Sequence, residues 1–267
     1  MQILLFLAVL PSILLAYRVL TYDRIEKEPA GLLAKLFGLG MLSCVPASII
    51  EAIGEIGIVS IVGDSGLLYS ALTYLILVPL AEESCKYFML RTTHDNPEFN
   101  YTFDGIVYGT MVALGFATLE NVLYIAGYQT LATAIMRGIL SVPLHCACGI
   151  FMGYCYGVAR GQEVRGSEEE AARARRLALI VPWVIHGLYD FSLDMESLPL
   201  FIFGILLTAV FFWIAARQVH IASTNDAPIM VSLPERGTPI MSEMSPAPKW
   251  SNKGTPPPPF NSDKQQK

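Results

Sequence analysis

Glu82 and Glu83 stand side by side near the end of an apolar run, 67–90, and Lys86 follows one helical turn later. Glu120, His145, His186 and Asp190 interrupt three further apolar stretches. A charge at the centre of a membrane-spanning helix costs about 2.5–3.5 kcal/mol on insertion scales, so such residues usually face an interior site. Four stretches that each carry ionisable groups to membrane depth point to an enzyme or a transporter. Paired glutamates with two histidines favour an enzyme.

The chemistry these groups suit is hydrolysis. It needs a water, a base to activate it and a donor for the oxyanion. A carboxylate shielded from bulk water is an effective base, and an imidazole can donate to the oxyanion or to the leaving group, or ligate a metal. Glu82 and Glu83 are therefore the candidate bases, with His145 and His186 as their catalytic partners. On a helix the two glutamates diverge by about 100°, so one faces the site while hydrogen bonds hold the other. Lys86 lies at i+4 from Glu82 and i+3 from Glu83 and can reach either. Asp190, at i+4 from His186, can orient its ring, and Asn121 beside Glu120 adds a neutral donor and acceptor. Lys86, Glu120, Asn121 and Asp190 are thus supporting residues. Pro143 before His145 and Pro182 before His186 can open backbone and admit water.

Other chemistries find less support. No HExxH or GxSxG is present, which leaves out a standard zincin arrangement and a nucleophile elbow. Cys146-x-Cys148 beside His145 leave a helix in different directions, which does not suit one metal ion. The five cysteines all lie in apolar runs, as small packing residues and not as a disulfide framework. No cofactor is favoured over glutamate-activated water. Zinc is the alternative, with ligands from His145, His186 and either Glu83 or Glu120. The bland reading, that these groups only fasten helices together, suits one buried histidine better than groups spread over four spans.

The elements that must position these residues follow from composition. The chain of 267 residues is 53% hydrophobic and only 15% charged, against about 25% charged in soluble domains. Its mean hydropathy is +0.48. This is an all-α polytopic membrane protein. A span needs about 20 apolar residues, which places about seven in one bundle: 1–20, 31–53, 67–90, 104–127, 131–159, 175–194 and 198–216. Residues 1–20 have no basic start and read as a permanent span, not a cleaved signal. Basic residues gather in alternate connections: Arg18, Arg24, Lys27 and Lys35; Arg91; Arg160, Arg165, Arg173, Arg175 and Arg176; and Arg217. The positive-inside rule then sets the N-terminus external and the C-terminus cytoplasmic, with 51–66 an external connection. Segment 167–176 reads as a short polar helix in a cytoplasmic connection. Two domains are expected: 1–221, the transmembrane body, and 222–267, a disordered Pro/Ser-rich cytoplasmic tail. With net charge −5 and no basic block, nothing suggests nucleic acid. Gly105, Gly109, Ala113 and Ala117, and Gly149, Gly153 and Gly157, form two small-residue rows of the kind that draw membrane helices together. They would fix Glu120 relative to His145.

These residues resemble the PrsW family of intramembrane proteases, within the wider group that holds the type II CAAX prenyl endopeptidases and bacteriocin-processing enzymes. The pieces are Glu82-Glu83-Ser84-Cys85-Lys86, Phe103-Asp104-Gly105-Ile106-Val107-Tyr108-Gly109, Gly115-Phe116-Ala117-Thr118-Leu119-Glu120-Asn121, His145, and His186-Gly187-Leu188-Tyr189-Asp190. The CAAX group has EExxxR where this chain has EExxK, which sets the chain nearer PrsW and makes a prenyl-protein substrate doubtful. The resemblance covers about residues 1–220. It implies hydrolysis of a peptide bond in a single-span membrane protein, of which an anti-sigma factor cut at site 1 is one kind, in a bacterial inner membrane. Two other readings remain: a proton-coupled transporter, against which stands the lack of an internal repeat, and a non-catalytic scaffold that binds membrane proteins.

Overall fold

The computed structural model describes residues 2–229 and is helical through seven spans: α1 (Gln2–Leu20), α2 (Ala30–Val62), α3 (Leu67–Arg91), α4 (Thr102–Tyr128), α5 (Leu131–Val164), α6 (Glu168–Asp194) and α7 (Leu198–Thr224). Each expected span is present, and the differences lie at the ends. α2 continues through Val62 to Gly63, whose φ of 87° stops it, so Glu51 sits inside a helix and not in a connection. Segment 167–176 is no separate helix. From Glu168 to Val181 there is neither Gly nor Pro, Ala and Arg favour helix, and the polar stretch runs on as the first turns of α6. Its Arg175 pairs with Glu163 of α5 and reaches Glu168 at 3.9 Å. α7 extends to Thr224, past the expected boundary at 221, and 225–229 pack onto the body; the rest of the expected tail lies outside the described residues.

α4 is the hub. It packs on α5, α2 and α1 and is the most buried of the seven spans. The two small-residue rows face each other: a Cβ on Gly109 would stand 2.4 Å from the Gly149 carbonyl oxygen, and one on Gly153 2.0 Å from that of Gly105. Gly40 and Gly115 bring α2 equally close, since their Cβ atoms would meet the carbonyl oxygens of Val112 and Phe37, each at 2.0 Å. Backbones in contact on both sides hold α4 rigidly, and with it Glu120. Gly153→Val should therefore destabilise the bundle by roughly 1–3 kcal/mol or more, the range for overpacking. Thermal unfolding in detergent checks this.

The start of α4 is equally fixed. Asp104 Oδ2 accepts the N–H groups of Asn100 and Tyr101 at 3.0 and 2.7 Å, which satisfies donors that a helix start leaves open. Asp226 Oδ1 accepts the Phe103 N–H at 2.9 Å and the Thr102 hydroxyl at 3.0 Å. In the 21–29 connection, Glu28 accepts the Tyr108 hydroxyl at 2.7 Å, and burial pushes its carboxyl up to about 7. The Phe103-Asp104-Gly105 motif is thus a helix-start and packing device.

Candidate active site

Two prolines shape the backbone ahead of the functional residues. Residues Ala71–Leu77 of α3 and Arg137–Ser141 of α5 are wound as π-helix, each ending just before Pro79 or Pro143. Such wide turns are frequent at functional sites. Pro79 has no N–H to offer Leu75, its i−4 partner, and the indole N–H of Trp183 on α6 donates to that carbonyl at 3.0 Å. Gly187 lets α6 approach the same point, since a Cβ there would lie 2.8 Å from the Leu75 oxygen. This clasp fastens α6 to α3 beside His186 and about two turns before Glu82. The expected opening at Pro143 thus coincides with a π-turn.

The candidate residues meet. Lys86 Nζ donates to Glu82 Oε2 at 2.9 Å, to Glu83 Oε1 at 2.8 Å and to His145 Nδ1 at 2.9 Å. An ammonium has three N–H donors, and all three are used. Since Lys86 can only donate, His145 Nδ1 accepts, and its proton sits on Nε2, which donates to Glu120 Oε2 at 2.9 Å. His186 Nδ1 lies 2.9 Å from Glu83 Oε1, and its Nε2 lies 3.3 Å from Asp190 Oδ2 and 3.9 Å from Glu82 Oε2. The two imidazoles stand edge to face, 5.0 Å between centroids. Lys86 also sits 4.0 Å above the Phe116 ring, a cation–π contact that helps to hold a charge far from water.

The adjacent glutamates differ in surroundings. Glu83 is 0% exposed; its Oε1 takes both Lys86 and His186, while its Oε2 is buried with no hydrogen-bond partner. Glu82 is 5% exposed, lines a cavity of about 820 Å³ and bonds Lys86 through Oε2. The same cavity is lined by His145, His186, Glu120 and Asp190. It lies in the half of the bundle nearer the 62–67, 128–131 and 194–198 connections, the end at which α1 begins. A second, apolar groove of about 400 Å³ adjoins it between α2 and α4, sharing Cys44, Ser48 and Leu123 and adding Val45, Ile49, Ala52 and Ile53.

One oxygen or nitrogen from each of Glu82, Glu83, His145 and His186 lies within 4.8 Å of all the others. Two imidazoles with carboxylates are a donor set that suits catalytic zinc, and Glu83 Oε2 is a buried acceptor with no hydrogen-bond partner. The residues present thus fit a divalent cation, although sequence spacing alone gives no hint of one. Glu120 stands outside the four, because Arg137 takes its Oε1 at 2.7 Å and His145 its Oε2. Cys146 and Cys148 are buried apart from it, with Cys148 Sγ 3.9 Å from the Pro182 carbonyl.

Of the charged residues that line the cavity, Arg137, Glu51 and Asp194 escaped the sequence reading, and the first two are the more informative. Arg137 bonds Glu120 and also Asn121 Oδ1, at 2.7 Å, so Asn121 acts through it. It is the one charged residue between 131 and 159, and that isolation was the available signal. Glu51 lines the cavity from α2. It shares a helix face with Cys44 and Ser48, at spacings of seven and three, and that shared face was the available signal.

Comparison with known proteins gives the family. The model of the PrsW family intramembrane metalloprotease covers residues 28–216. The chain is 34% identical over 204 residues to Protease PrsW of Bacillus subtilis (strain 168), which covers 76% of this chain and 87% of that protein. It is 31% identical over 217 residues to Protease PrsW of Geobacillus kaustophilus (strain HTA426), covering 79% and 88%. Against Protease PrsW of Halalkalibacterium halodurans it is 28% identical over 224 residues, with 84% and 98% covered. No solved structure matches the chain significantly. An integral membrane protein with this match over most of its length belongs to the PrsW family of intramembrane proteases.

Proposed function

We propose that the chain hydrolyses a peptide bond of a membrane-anchored protein with Glu82 as the base. The observation that supports this most is the asymmetry of the glutamates, since Glu82 borders the cavity beside both imidazoles while Glu83 is buried under two donors. Glu82 takes a proton from a water whose oxygen bonds the scissile carbonyl carbon. The carbonyl oxygen becomes an oxyanion facing the His186 imidazole, while His145, whose Nε2–H is held by Glu120 and whose Nδ1 accepts from Lys86, keeps Lys86 against the carboxylates. As the C–N bond breaks, the proton held by Glu82 passes to the leaving amine. Lys86 keeps the two carboxylates and His145 in register, and Asp190 orients His186. The four-donor cluster also favours a second reading, in which His145, His186 and Glu83 hold zinc; a bound metal supplies Lewis-acid polarisation of the carbonyl. In both readings this chain's residues orient the substrate and move the proton.

The substrate we assign is a protein with one membrane span, and an anti-sigma factor cut at site 1 is the kind that the family resemblance implies. The apolar groove between α2 and α4 offers a span a sideways route to the cavity. The protein would sit in a bacterial cell membrane with its N-terminus outside, so that the cavity faces outward and the cut falls near the external boundary. Purified protein incubated with a panel of single-span peptides should give discrete products cut near one end of the span. No product from any peptide would remove the protease reading. In intact cells, a cysteine placed at Ser251 should escape an impermeant thiol reagent that labels one placed at Asp64. Labelling of Ser251→Cys would reverse the orientation and the side of cleavage.

A further inference from the structure

Arg137 takes part in neither mechanism above, yet it carries a charge into the bundle and is only 17% exposed. Its guanidinium makes four contacts. Nη2 reaches Glu120 Oε1 at 2.7 Å and the Ser141 hydroxyl at 3.1 Å, Nε donates to Asn121 Oδ1 at 2.7 Å, and the plane lies 3.8 Å from the Tyr124 centroid. The π-wound segment Arg137–Ser141 carries this side chain, and His145 follows one helical turn after it. From Arg137 an unbroken row of hydrogen bonds runs through Glu120 to His145 and Lys86, and so to both candidate bases.

We propose that Arg137 is a positioning residue of the hydrolytic site, which pins Glu120 so that His145 keeps its proton on Nε2 and turns its Nδ1 lone pair toward Lys86 and the paired glutamates. This rests on the protease reading for its kinetic consequences, but not for its geometry. Glu120 has two oxygens and two partners. With Oε1 fixed by a planar fork that also grips Asn121, Oε2 has one place to be, and it accepts from the imidazole there. Without the fork the carboxylate turns freely, the ring loses the acceptor that fixes it, and Nδ1 no longer points into the cluster. Orienting partners of this kind are worth about 10–100-fold in activity or metal affinity.

The test compares Arg137→Met and Arg137→Lys in the native and the Glu120→Gln backgrounds, with a single-span peptide as substrate. Arg137→Met should lower kcat by about 10–100-fold and leave KM within about threefold. Arg137→Lys keeps the charge but lacks the fork, and should recover only part of that loss. In the Glu120→Gln background, Arg137→Met should cost less than about threefold more, because residues that act as a unit are not additive. A raised KM at unchanged kcat would make Arg137 a substrate contact, and an undiminished loss in the Glu120→Gln background would make it independent of His145; either overturns the proposal. A readout free of activity comes from ¹⁵N-labelled histidine, since the chain has only four. The His145 signal should show the Nε2–H form alone in the native protein and a mixture in Arg137→Met, or in Arg137→Lys should the first variant not fold. An unchanged His145 signal overturns the proposal. If native protein cleaves no peptide, the protease reading fails while the histidine spectra still decide the role of Arg137.

Discussion

Glu82→Gln should abolish proteolysis, with a loss of about 10²–10⁴-fold, the range for removing a positioned base. The fold should survive it. The glutamine carbonyl still accepts from Lys86, whose Nζ keeps Glu83 and His145 as partners at 2.8 and 2.9 Å. Thermal unfolding of this variant should stay close to that of the native protein. Glu83→Gln should also abolish activity, but by a different route. Glu83 is wholly buried and accepts from Lys86 and His186 through Oε1, so a glutamine there removes the charge that balances them and puts amide N–H donors at the buried Oε2 position, which has no hydrogen-bond partner. Breaking a buried ionic contact costs about 3–5 kcal/mol. The two variants should therefore match in activity and differ in stability, with Glu83→Gln unfolding at the lower temperature. Full activity in both would end the carboxylate mechanism, and equal stability would contradict the division of roles between them.

His186→Ala and His145→Ala should each lower turnover by about 10²-fold or more. Both rings border the cavity 5.0 Å apart, with His186 facing the reacting carbonyl and His145 holding Lys86 against the two carboxylates. Asp190→Asn should cost less, since Asp190 reaches the reaction through His186 Nε2 at 3.3 Å. A larger loss at Asp190 than at His186 would reverse those roles. Metal content separates the two mechanisms in the same variants. With zinc as part of the site, His145→Ala and His186→Ala lose the metal together with activity, and a chelator inactivates the native protein. With glutamate alone, activity is indifferent to the chelator.

Much of this arrangement is legible in the chain because the membrane narrows the options. An ionisable residue within 20 apolar ones has few places to go, and so Glu82, Glu83, Glu120, His145 and His186 were all readable as members of one site. The small-residue rows showed which helices touch, and Gly105, Gly109, Gly149 and Gly153 do pack backbone to backbone. Two features did not show. The direction in which Glu82 and Glu83 point depends on the π-turn at Ala71–Leu77, which shifts the register of everything after it by a fraction of a turn. Periodicity counted at 3.6 residues cannot register that shift. Arg137 and Glu51 were overlooked because a charge near the end of an apolar run reads as the edge of the span. The closeness of Glu120 and the cavity shows that both belong inside.

The central claim is that the carboxylate facing the cavity performs the hydrolysis. It is tested most directly by following one single-span peptide with native protein, Glu82→Gln and Glu55→Gln, purified in parallel. Glu55 is a glutamate of the α2 helix that accepts from the Tyr69 hydroxyl at 2.5 Å and does not line the cavity. Native protein and Glu55→Gln should release the same products at the same rate, and Glu82→Gln should release none. Equal cleavage by all three, or loss in Glu55→Gln alone, would contradict the account.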